Sequence, residues 1–327
     1  MMNSFIFALN AVLPIVLTVA LGYILKKLGL MTAEFSKTAN RLVFKVLLPA
    51  MLFLNVYKTE AAKNIELTYI IYVFVCVLIF FALAFPMVTL CTRQRQRRGV
   101  LMQAAFRSNY ALIGIPLAQS LFGTEGAAVA TLLSALVIPL FNILAVICLS
   151  VYGEGKPNFK KIIIDILKNP LIQSIALGGV FLLIRSVFQK NGIGFRLTDI
   201  APLYKLLTYL SNAATPLALL VLGARFEFST VGRMKKEIIS GVLVRNLFVP
   251  FTAIACAVLF FRESFTGAHF AAFVAVFASP LAVSSVAMAQ EMKGDAELAG
   301  QLVIWTTLFS ALSTFTASFI LKQTGIF

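Results

Sequence analysis

Long apolar runs separated by short polar stretches dominate this chain. Runs of roughly 20 mainly apolar residues, the length that crosses a bilayer core, predict ten helical spans near 5–25, 42–57, 67–90, 99–122, 126–151, 169–189, 202–224, 238–261, 267–290 and 298–321. The second is short, and the fourth and ninth are interrupted. Prolines punctuate the runs: Pro49, Pro86 and Pro116 recur in order as Pro216, Pro250 and Pro280, at offsets of 167, 164 and 164 residues. Pro116 and Pro280 each open the tripeptide Pro-Leu-Ala, and Pro14 shifted by 164 falls on Gly178. Helix breakers persist in lipid only where the freed backbone groups find protein or water, so paired breaks predict a duplicated membrane unit with a polar site between its copies.

Five spans per unit is an odd number, which makes the second unit inverted relative to the first. The expected fold is an all-α membrane protein: ten transmembrane helices in two inverted five-helix repeats, with spans 4 and 9 broken at a central crossover. The repeats occupy 1–152 and 169–327, and 153–168 is a linker on the cytosolic side. Each outgoing half-helix is expected to start at its proline, where a missing N–H has no intrahelical acceptor to lose. Ser279 before Pro280 is a favourable N-cap. Two helix amino termini then converge, with unpaired N–H donors and partial positive charge, and such a point attracts anions.

Composition agrees with the runs. The chain is 60% hydrophobic and 13% charged, with mean hydropathy +0.93, too little polar surface for a soluble globule of 327 residues. Loops after spans 1, 3, 5, 7 and 9 hold 17 Lys and Arg, against 8 on the opposite side. The positive-inside rule places the odd-numbered loops in the cytosol and both termini outside. The net charge of +15 is then mostly topology rather than a nucleic-acid footprint, because the basic residues are dispersed without aromatic interleaving. Arg185, Lys190, Arg196 and Lys205 run against this trend, as an amphipathic segment along the outer interface. Lys26 and Lys27 follow the first apolar run, the reverse of a cleaved signal. Cys76, Cys91, Cys148 and Cys256 show no Cys-x-x-Cys spacing and read as small buried hydrophobes. No interruption is long enough for a soluble domain.

All 13 carboxylates fall in loops or at span ends, leaving no Asp or Glu at mid-membrane depth as an ion ligand or proton relay. The embedded charges are cations: Lys45, Arg107 and Arg245, in spans 2, 4 and 8. Arg107 and Arg245 stand about eight residues from the cytosolic ends of their spans, ~12 Å along a helix. Each contacts an anion or satisfies carbonyls freed at a break. Lys45 lies one turn inside its span and reaches the headgroups by snorkelling, or joins the site. Asn109 bonds a neighbouring helix or a ligand. His269, at the outer start of span 9, is interfacial rather than a proton carrier. Pro49, Pro86 and Pro250, among apolar neighbours, read as kinks.

The stretch Phe106, Arg107, Ser108, Asn109, Tyr110, Ala111, Leu112, Ile113, Gly114, Ile115, Pro116, Leu117 resembles the Asn-x-x-x-x-Gly-Ile-Pro-Leu crossover of the auxin efflux carrier family. The resemblance extends over the whole chain through its ten-span arrangement and proline-broken span 9. Ala111 stands where bacterial members often have Gly. The long central loop of the plant carriers is absent between Tyr152 and Asn169, so the chain is similar to compact bacterial permeases of the malonate-transporter type, proteins of the inner membrane. The resemblance implies a scaffold of spans 1, 2, 6 and 7 and a mobile domain of the rest, with Asn109 on a substrate carboxylate. It also implies that the segments around Gly114, Ile115, Pro116 and Pro280 supply positive helix ends. Ser279, Ser284 and Ser285 add hydroxyl donors or bond their own backbone, and Asn212 and Thr215 face the site from the scaffold. A homodimer through the scaffold is a further implication.

The expected function is secondary transport of a small organic anion, a mono- or dicarboxylate of the malonate type, by alternating access. Alternatives are a sodium-coupled carrier of the bile-acid type and a non-transporting sensor or binding protein. No nucleotide, metallopeptidase or diphosphate motif points to an enzyme, and no cofactor or metal is expected. The partners are the anion and the lipid bilayer.

Overall fold

The computed structural model describes residues 2–58, 67–153 and 159–326, without the side chains of 2–12, 159 and 161. In chain order the helices are α1 (Met2–Lys27), α2 (Ala33–Leu42), α3 (Leu48–Tyr57), α4 (Leu67–Cys91), α5 (Arg95–Phe106), α6 (Ile115–Val151), α7 (Phe159–Lys168) and α8 (Pro170–Lys190). They continue as α9 (Ala201–Arg225), α10 (Ser229–Arg233), α11 (Lys235–Leu243), α12 (Val249–Phe261), α13 (Gly267–Phe277), α14 (Ser284–Glu291) and α15 (Ala296–Gln323). No strand occurs among the described residues. Seven helical runs among them are long and apolar enough to cross a membrane: 33–57, 67–91, 95–151, 170–190, 201–225, 235–261 and 296–323. The protein is an all-helical, multi-pass membrane protein.

Of the three expected spans missing from this count, the first falls on α1, whose residues 2–12 are described without side chains, and the other two have local causes. The run 95–151 has 57 residues, far more than one crossing needs, and it is folded back on itself. Phe122 and Gly123 leave helical angles, Gly123 at φ +61°. A Cβ on Gly126 would lie 2.5 Å from the carbonyl of Ala118, although eight residues span ~12 Å in a straight helix. Only glycine adopts the Gly123 conformation without strain. The ninth predicted span is the broken pair α13 and α14, each too short to count alone. The second is longer than expected, since the polar segment 33–42 is helical, its first turn capped by Thr32, whose hydroxyl accepts from the Phe35 N–H at 3.1 Å. Part of the expected linker, 159–168, is also a helix, and 154–158 lie outside the described residues. The segment between α8 and α9 carries one 3₁₀ turn, Leu197–Asp199. Arg185 donates to the Tyr57 carbonyl at 2.9 Å.

Three prolines produce the same local distortion. Wide π turns at Val43–Leu47, Tyr110–Gly114 and Val244–Phe248 each end two residues before Pro49, Pro116 and Pro250. The N–H preceding each proline bonds five residues back: Leu48 to Val43, Ile115 to Tyr110 and Val249 to Val244. A proline ring crowds the carbonyl four residues before it and offers no N–H, and a widened turn relieves both. Pro86 and Pro216, paired with Pro250 and Pro49 by sequence offset, sit inside helices without such a turn. Pro280 lies in a break, and Pro116 follows one by seven residues.

The helices sort into two groups. In one, α1 packs on α9, and α3 on α8 and α9. The backbones touch through glycine: a Cβ on Gly22 would sit 2.9 Å from Leu220 Cα, one on Gly223 3.0 Å from the Tyr23 nitrogen, and one on Gly178 2.8 Å from the Phe53 carbonyl. Close approach through small residues is how helices associate where lipid supplies no hydrophobic drive. In the other group α13 packs on α6, α4 on α5, and α15 on α11 and α14. Arg97 ties its helix starts together, donating to Glu237 at 3.0 Å and Asp295 at 3.1 Å. Asp295 also caps α15 through the Leu298 N–H. Contacts of α15 with α1 and of α14 with α2 and α9 join the groups.

Replacing Gly223 by Val is expected to overpack the α1–α9 contact, costing about 1–3 kcal/mol. The melting temperature in detergent should fall. Val at Gly179, where an added Cβ meets nothing within 4 Å, should leave it unchanged; equal effects at both positions would refute this account of the packing.

Candidate functional site

The two broken stretches, 107–109 and 278–283, cross against each other. The Asn109 N–H donates to the Pro280 carbonyl at 2.7 Å, so a backbone bond joins the breaks directly. Gly114 allows the adjoining segments to touch: a Cβ there would clash with Tyr110 and lie 2.8 Å from the Ala275 carbonyl. The prolines are not the helix starts. After the first break helical structure resumes at Tyr110, six residues before Pro116, and after the second at Ser284, four residues beyond Pro280. Ser279 caps nothing, since its hydroxyl donates to the Ala275 carbonyl at 2.6 Å.

The end of α13 can be accounted for carbonyl by carbonyl. A helix end leaves four carbonyls without intrahelical donors. Here Val274 accepts from the Ala278 N–H at 2.9 Å, Ala275 from Ser279, and Val276 and Phe277 from the Arg245 guanidinium. The Leu281 N–H in the break donates to the Thr306 hydroxyl at 3.1 Å. Arg245 is fully buried; its Nη2 bonds freed carbonyls, while its Nε and Nη1 are buried without a partner, so both readings of this residue stay open.

Arg107 has different surroundings. Its guanidinium, 2% exposed, donates to Gln103 Oε1 at 2.9 Å, Met288 Sδ at 2.9 Å, Asn142 Oδ1 at 3.0 Å and Ser284 Oγ at 2.8 Å. All four acceptors are neutral, and among the described residues Arg107 makes no ion pair. Its charge therefore sits in a buried site facing neutral dipoles. Ser108 Oγ and Asn109 Nδ2, next to Arg107 in sequence, and Ser285 Oγ, next to Ser284, are buried atoms with no hydrogen-bond partner, as are Nε and Nη1 of Arg245. Buried polar groups are normally paired, and these are left without a partner in the protein.

The crossing thus gathers Arg107, Asn109, Gly114, Ser279, Pro280, Ser284 and Ser285, with Arg245 at its edge. Ile115 is half-buried and Pro116 exposed. Lys45 is exposed on the first π turn, as snorkelling requires, and Asn212 is exposed on α9. Thr215 is directed at Met51 Sδ, 3.9 Å away on α3. His269 is part of the α13 cap, accepting from the Thr266 N–H at 3.1 Å. Sequence reasoning missed Gln103, Asn142 and Met288. Gln103 stands one turn before Arg107 and was detectable by that spacing; the other two come from distant helices and carried no signal.

A cavity of about 790 Å³ opens on the side of the basic loops, between the loop after α1, the end of α9, and α14 and α15. Lys26, Lys37 and Arg225 line it together with Glu227 and Glu297, and Gln290 lines it from α14. The cavity therefore reaches the helix whose first residue holds Arg107.

The family model described as "membrane transport protein" matches this chain over 7–158 and 157–317. An uncharacterized transporter of Methanothermobacter thermautotrophicus is 27% identical over 312 residues, 93% of this chain and 95% of the relative. An uncharacterized transporter of Methanocaldococcus jannaschii is 28% identical over 222 residues, 66% of this chain and 68% of the relative.

Arg245→Ala should leave the Val276 and Phe277 carbonyls bare and destabilise the protein by about 3 kcal/mol, with Arg245→Lys recovering part of the loss. Thermal unfolding in detergent measures this. An unaltered melting temperature would contradict the structural role.

Proposed function

We propose a substrate class and a transport cycle for this chain, which belongs to the membrane transport protein family, the auxin efflux carriers. The chain is a membrane transporter and not an enzyme. Its substrate, in our reading, is a small organic anion, a mono- or dicarboxylate such as malonate, bound where the two broken stretches cross. The observation that carries this reading is the buried Arg107, paired with no carboxylate and set beside the unpartnered Ser108, Asn109 and Ser285. A cation held among neutral dipoles favours an anion at its open side, and a carboxylate accepts the hydrogen bonds that Asn109 and the serines have left.

The cycle follows from the two helix groups. The ten-span, inverted-repeat reading, with repeats at 1–152 and 169–327, assigns α1, α3, α8 and α9 to a scaffold and the crossing to a mobile domain. The match of one family model in two successive stretches supports the duplication. Movement of the crossing group against the glycine-tight scaffold exposes the anion site to alternate sides. The cavity beside α14 is the route from the side of the basic loops, which the positive-inside rule assigns to the cytosol.

Uptake of labelled malonate and related carboxylates into proteoliposomes, with and without sodium, tests the reading. Carboxylate-selective uptake is expected; transport only of cations or neutral solutes would remove the proposed substrate class. Asn109→Ala should weaken apparent affinity by roughly 10–100-fold, the worth of one hydrogen bond to a charged group, with insertion intact. Asn142→Asp should place a carboxylate on the Arg107 guanidinium, neutralising it. Anion-dependent thermal stabilisation should disappear while the folded protein remains, and its persistence would show that Arg107 does not supply the attraction.

A further inference from the structure

We propose that Arg107 is a tethered cation. Its guanidinium fills a cage of neutral ligand atoms that is itself a site for a monovalent cation, so the chain moves its anion without a coupling ion. The inference rests on the anion-carrier reading and names how that site is coupled.

The cage is defined by its atoms. Gln103 Oε1, Asn142 Oδ1 and Ser284 Oγ supply three neutral oxygens, and Met288 Sδ a soft fourth, all 2.8–3.0 Å from the guanidinium nitrogens. They come from α5, α6 and α14, on both sides of the crossing. The Asn142 amide is held in place, since its Nδ2 donates to the Ile138 carbonyl at 2.8 Å. Neutral oxygens converging from several helices are the chemistry that hard cations select. The planar fork of an arginine side chain reproduces such a charge while satisfying several acceptors at once.

Tethering changes what the charge can do. A dissolved cation in this cage would arrive and leave with the substrate, and its gradient would drive transport. The guanidinium remains bonded to α14 through Ser284 and Met288 and to α6 through Asn142. It therefore travels with the crossing and contributes a constant positive charge in every state. It also fastens together two stretches whose other direct tie is the bond between Asn109 and Pro280.

The experiment empties the cage. Arg107→Ala in detergent is titrated with guanidinium chloride at millimolar concentration, with sodium and with choline, and melting temperature is recorded. Guanidinium should raise it saturably, by about 5 °C near 100 times Kd, while choline has no effect and the wild type responds to none of the three. If the variant does not accumulate, Arg107→Ala combined with Asn142→Asp gives the cage a carboxylate and is titrated identically; sodium or guanidinium should then stabilise it. Guanidinium and sodium curves no different from choline, in whichever variant is obtained, overturn the proposal. Malonate titration of the wild type in the same assay separates the two readings. A missing malonate shift with a saturable guanidinium shift in the variant sinks the anion reading but leaves the cage standing.

Discussion

The hydrogen bond between the Asn109 N–H and the Pro280 carbonyl is the contact on which the rest of the structure turns. Inside a bilayer an interrupted helix is untenable unless each freed backbone group finds a partner in the protein or in a water-lined cavity. Two interruptions placed against each other can partly satisfy one another, and here they do. Neighbouring side chains supply most of the remaining partners, Arg245 and Ser279 for the carbonyls of α13 and Thr306 for the Leu281 N–H. The serines and threonines of α15 bond the carbonyl three or four residues back, as Thr307, Ser310 and Thr314 do.

The two embedded arginines show how similar sequence contexts meet different acceptors. Arg245 faces backbone carbonyls at a helix end, the negative pole of the helix dipole, which offsets part of its charge. Arg107 faces side-chain amide, hydroxyl and thioether groups, which orient around it without cancelling it. Depth in the membrane is an insufficient guide to such residues. What matters is whether the acceptors belong to the helix ladder or to movable side chains.

The sequence reveals an all-helical membrane chain and its two broken helices, because apolar run length and proline placement are direct imprints of the bilayer. It conceals whatever depends on two distant helices meeting. Asn142 and Met288 lie 35 and 181 residues from Arg107, and nothing near them in the chain marks them as its partners. Proline spacing also misleads in one respect: the pairs Pro49 with Pro216 and Pro86 with Pro250 align by offset but distort their helices differently, since the response depends on how the neighbouring helices accommodate a wider turn. The basic residues read as topology include Arg97, whose contacts with Glu237 and Asp295 bind three helix starts into one unit.

Each π turn also sets a phase. A turn that closes over five residues instead of four adds one residue to the winding, and one residue in an α-helix is about 100° of rotation. In the run 235–261 the faces of α11 and α12 are therefore offset from a regular helix across Val244–Phe248. Arg245 and Asn246 are both buried within this one turn. Deleting one residue within the turn would restore a regular helix and keep the faces of α11 and α12 where they are, whereas a deletion elsewhere in α12 would swing the side chains beyond it by about 100°. The same holds for the segments on either side of Val43–Leu47 and Tyr110–Gly114. Length here, and not only residue identity, is under constraint: a single residue added or lost outside these turns rotates one flank of the helix against the other by about 100°.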